Sequence, residues 1–99
     1  MTFLTVQPEM LASAAGDLET IGSAVSTANA AAAFPTTELA PAAADEVSAL
    51  TAAQFAMHAG IYQAVSAQAA AIHQQFVTVL AASSRSYAAT EAANAIVAA

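Results

Sequence analysis

The chain has 99 residues, a formal net charge of −6 and a pI near 4.2. It contains 32 Ala, whereas Leu, Ile, Val and Phe together supply only 21 residues, so much of its hydrophobic fraction is methyl groups that bury little area. Cys, Trp and Lys are absent and Arg85 is the sole cation, which excludes disulfides, thiolate chemistry and a phosphate-neutralising nucleic-acid surface and argues against docking on anionic lipid.

Met1–Gln7 has no basic region and no long apolar stretch, so a Sec signal peptide is not expected there. No segment of the chain reaches the roughly 20 strongly apolar residues of a membrane span. Pro8 suits a first helical position, where its missing N–H costs nothing, and Glu9 then lies in the first turn with the sign that favours the helix dipole. An Ala-rich first helix is expected over about 8–33. Pro35 and Pro41 bracket a loop at 34–41. A second helix is expected over about 42–82, opening near Asp45 and Glu46, with Arg85 close to its C-terminal carbonyls and a separate segment at 83–99. Two long helices joined by a short connection form an antiparallel hairpin, all-α, in a single domain.

The first helix carries a 3–4 seam of Leu11, Ala14, Leu18, Ile21, Val25, Ala28 and Ala32, the spacing of helix-on-helix packing. Ala15, Gly22 and Ala24 flank it and permit close approach. The second helix carries two seams. One contains Val47, Leu50, Met57 and Ile61; the other contains Phe55, His58, Tyr62, Val65, Ile72, Phe76 and Val79. Together they cover about 160° of the helix, wider than the roughly 100° stripe of an ordinary surface helix. The first helix, through Leu11, Leu18, Ile21 and Val25, is expected to take the Val47–Ile61 seam. The Phe55–Val79 seam then needs a surface from another molecule, and a partner that completes a four-helix bundle supplies it.

The chain offers little chemistry. It has no G-x-S-x-G and no P-loop, and its carboxylates read as solvated helix surface. His58 and His73 stand about 22 Å apart along one helix and cannot share a metal. No catalytic residue, metal or cofactor is expected. Tyr87 and Glu91, at i and i+4, share one face if their segment is helical, just beyond the point where the two-seam pattern stops.

The sequence resembles the mycobacterial PE family. The resemblance rests on Pro8-Glu9, on the stretch from Pro35 to Leu50, on the Ala-rich frame of about 100 residues and on Tyr87-xxx-Glu91. It implies an obligate heterodimer with a PPE-family protein, exported by type VII secretion. It further implies that Tyr87 and Glu91 form the secretion signal and that an EspG-type chaperone acts indirectly, through the PPE partner. The chain is then expected in the cytoplasm before export and afterwards secreted or at the cell surface. The alternative is a self-associating structural bundle at the cell surface.

Overall fold

The computed structural model describes residues 6–98; Met1 to Thr5, ahead of Pro8, and Ala99 lie outside the described residues. Two helices account for nearly all of it: α1, Pro8–Thr37, of 30 residues, and α2, Glu46–Ala98, of 53 residues. They pack as a hairpin whose longest dimension is 80 Å. No strand occurs among the described residues.

Helix α1 starts at Pro8, with the Gln7 carbonyl accepting the Met10 N–H at 3.0 Å. It runs on to Thr37 instead of stopping at 33, and Pro35 lies inside its last turn. Proline removes the donor that would serve the Ala31 carbonyl, a loss confined to one bond at the helix end. The Thr36 hydroxyl donates to the Ala32 carbonyl at 2.6 Å and the Thr37 hydroxyl to that of Ala33 at 2.7 Å. The Glu38 N–H then closes the turn on the Phe34 carbonyl at 3.0 Å.

Helix α2 begins at Glu46 rather than at 42, because Asp45 is the first residue of the connection that can cap it. One Asp45 carboxylate oxygen accepts the Ser48 N–H at 2.8 Å and the other accepts the Ser48 hydroxyl at 3.0 Å; Ala42, Ala43 and Ala44 offer no such acceptor. These hydrogen bonds to the charged form hold the Asp45 carboxyl below the usual aspartate range.

At its other end α2 continues to Ala98 and does not stop at 82. Residues 83–98 contain no Gly or Pro and are again rich in Ala, so propensity carries the helix beyond the point where the apolar seams end. Arg85 therefore sits within α2, and the last turn holds no basic residue. Because α1 starts opposite Ser84, α2 overhangs it by residues 85–98, about 21 Å of helix.

Candidate functional site

The contact between the helices is made mostly of small and polar side chains, with Leu11, Leu18 and Val77 among them. Ala15 of α1 and Ala52, Ala59, Val77 and Ser84 of α2 are the buried residues. Leu11, Leu18, Gly22, Asn29 and Ala33 of α1 and Ser48, Gln63, Ser66 and His73 of α2 are half-buried along the same line. At 100° per residue the α2 positions that face α1 span an arc of only about 80°.

Side chains from α2 donate into α1 along this line. The Tyr62 hydroxyl reaches Asn29 Oδ1 at 2.8 Å and the Gln63 amide reaches the Asn29 carbonyl at 3.0 Å. His73 Nε2 lies 2.7 Å from the Leu18 carbonyl oxygen and so carries the proton that bridges them. The Ser84 hydroxyl donates to the Pro8 carbonyl at 2.7 Å. Between Asn29 and His73 the helices leave a cavity of about 520 Å³, lined in part by Val25, Ser26, Tyr62, Ser66 and Ala70.

This arrangement corrects the expected packing. Leu11 and Leu18 do lie along the hairpin contact, but Ile21 and Val25 are more than half exposed. Val47, Leu50, Met57 and Ile61 are also more than half exposed, so that seam does not face α1. The reason is steric. A Cβ on Gly22 would stand 2.7 Å from His73 Cδ2, so the close approach turns Gly22, rather than Ile21, toward α2. A third stripe of α2, Ala52 to Ser84, takes the place of either apolar seam.

Apart from Val77, and from Tyr62 whose hydroxyl reaches α1, most large apolar residues of α2 consequently face outward. Phe55, Tyr62, Val65, Ile72, Phe76 and Val79 are all at least half exposed, and His58 is exposed among them. On the helical wheel Phe76 lies about 100° from the direction of α1, and Met57 and Ile61 lie nearly opposite to it. The hairpin thus places its methyl groups inside and its aromatic rings outside, the reverse of a self-sufficient domain. This exposed apolar face runs along most of α2, and large exposed apolar patches are a recurrent feature of interaction surfaces.

On the overhang, Tyr87 and Glu91 lie one helical turn apart and both are exposed, Tyr87 at 46%. Pro8 and Glu9 sit at the same end of the hairpin, in the first turn of α1, where the Pro8 carbonyl accepts from Ser84 just before the overhang begins. Among the described residues no group of three or more His, Asp and Glu is disposed to hold a metal ion. No described helix is long and apolar enough to cross a membrane.

The PE family model matches residues 4–94. PE family protein PE13 of Mycobacterium tuberculosis is 64% identical over 95 residues, 96% of each chain. PE-PGRS family protein PE_PGRS33 of the same species is 60% identical over 95 residues, which is 96% of this chain but 19% of that protein. PE cleavage protein A of that species is 63% identical over 92 residues, 93% of this chain and 16% of that protein.

Proposed function

The chain belongs to the PE family, and from that premise we propose that it is a non-enzymatic interaction module that heterodimerises with a PPE-family protein. One observation supports this above the rest: α2 leaves Phe55, Val65, Ile72 and Phe76 more than half exposed beside α1. Two further helices laid along that side would bury the rings and complete a four-helix bundle. The Tyr87-xxx-Glu91 pair, helical and exposed on the overhang, is the signal read by the type VII secretion machinery. The EspG-type chaperone engages the assembly through the PPE chain. The complex forms in the cytoplasm and is then secreted or held at the cell surface.

Co-expression tests the reading. Produced alone, the chain is expected to aggregate or to lack a cooperative melt, because its outer face meets water. Produced with the right PPE protein, it should become soluble and elute as a one-to-one complex. A monodisperse, cooperatively melting monomer would overturn the proposal. A stable dimer of identical chains would favour the self-associating structural bundle instead.

A further inference from the structure

The hairpin contact poses a problem of register. A stripe of Ala and Ser slid by one turn along another such stripe still meets Ala and Ser, so apolar burial discriminates weakly between the two alignments. Yet Tyr62, His73 and Ser84 stand at intervals of eleven residues, three helical turns, along one side of α2. Each donates a hydrogen bond to α1: to Asn29 Oδ1, to the Leu18 carbonyl and to the Pro8 carbonyl. The acceptors recur at nearly the same interval in the opposite direction, so all three rungs agree on a single antiparallel alignment.

We propose that Tyr62, His73 and Ser84 are positioning residues that fix the axial alignment of the two helices. Gly22 is the slot for the middle rung. With a Cβ there, His73 Cδ2 and Nε2 would be met at 2.7 and 2.8 Å. One turn away in either direction the imidazole would meet Leu18 or Ser26, both of which carry a Cβ. The ring therefore fits where it is and clashes at the neighbouring alignments, and one turn away the Tyr62 hydroxyl would face Val25 or Ala33, neither of which has a side-chain acceptor. The consequence extends to the outer surface. The ladder sets which part of α1, with Ile21 and Val25, stands beside which part of α2, with Tyr62 and Phe76. It also sets where the overhang begins, immediately after Ser84. The inference concerns the hairpin itself and holds for any molecule that covers the outer face.

The chain has no cysteine, so spin labels can be attached at Thr27→Cys and Ser86→Cys alone, both exposed and well separated along the hairpin axis. Pulsed electron spin resonance on the full chain, purified natively from a mycobacterial host with whatever it binds there, reads their separation. The unmodified ladder should give one narrow distance. Tyr62→Phe, His73→Leu and Ser84→Ala together should shift it, or split off a second population, by about one helical turn, roughly 5 Å. A donor-retaining set, His73→Gln with Ser84→Thr and Tyr62 kept, should restore the single distance. If the triple variant does not accumulate, Gly22→Ala is measured in the same way. One unmoved narrow distance in whichever variant is recovered overturns the proposal.

Discussion

His73 rests against Gly22 so closely that a single added methyl group on the glycine would lie 2.7 Å from the ring. Gly22→Ala must therefore push the imidazole off the Leu18 carbonyl, leaving the half-buried His73 N–H without its acceptor. It is expected to destabilise the assembled protein by about 1–3 kcal/mol. Gly16 and Gly60 have nothing within 4 Å of an added Cβ, so Ala at either position should raise stability by up to about 1 kcal/mol through helix propensity. Thermal melts of the three variants should move in these opposite directions. A Gly22→Ala protein as stable as its parent would remove the steric argument.

The Asp45 cap carries a pH signature. Its carboxyl is held below the ordinary value of 3.8 by hydrogen bonds from the Ser48 backbone and side chain. A group whose folded pKa is lowered contributes its full stabilisation above the unfolded value and loses it as pH falls through the folded one. The midpoint difference between the parent and Asp45→Ala should therefore be largest at neutral pH and shrink below about pH 4. Asp45→Asn, which keeps an acceptor but no charge, should fall between them at neutral pH and show less pH dependence. A difference that stayed constant from pH 7 to pH 2 would argue against the cap.

These two sites show what was legible in the residues and why the rest was not. Pro8 and the Asp45-Glu46 pair mark real helix starts because capping and dipole chemistry are local. Helix ends were less legible. Pro35 reads as a breaker, yet it falls in the last turn of α1, where it deprives only the Ala31 carbonyl of a donor. The 83–98 segment reads as a tail because its apolar pattern fades, but Ala keeps it helical without a pattern. The largest discrepancy concerns faces. A scan for large apolar periodicity finds the surfaces that turn outward, since those carry Phe, Met and Ile. Apart from Leu11, Leu18 and Val77, the hairpin contact is written in Ala, Gly, Ser, Asn, Gln and His, which such a scan passes over. Gly22 and Ala15, readable as permitting close approach, were the available signal for the stripe that packs.

The outward face makes its own prediction. Phe76 is 57% exposed in the hairpin, so Phe76→Asp costs little until another surface covers it. In the complex the same change buries an unpaired carboxylate, at a cost of several kcal/mol. Affinity purification after co-expression should recover the PPE protein with the parent chain and lose it with Phe76→Asp. The exposed neighbour Gln75, changed to Asp, supplies the comparison. Retention of the PPE protein by Phe76→Asp at parental levels would show that this side of α2 is not the docking face.

Tyr87 separates recognition from assembly. It lies on the overhang beyond Ser84, the last of the described residues with a hydrogen bond to α1, so its removal breaks none of the described hydrogen bonds between the helices. Tyr87→Ala should leave the heterodimer intact in cell lysates and lower the exported fraction at least tenfold, read by immunoblotting of culture filtrate and cell wall against cytosol. Tyr87→Phe keeps the ring and loses only the hydroxyl, so it distinguishes a stacking contact from a hydrogen bond in the receptor. Helicity matters equally, because Tyr87 and Glu91 share a face only while the turn between them is wound. Ala89→Pro, which breaks that turn and preserves both side chains, should abolish export as fully as loss of the tyrosine. Export at the parental level from Ala89→Pro would mean that the signal is read as an extended peptide, and the helical overhang would then have no part in it.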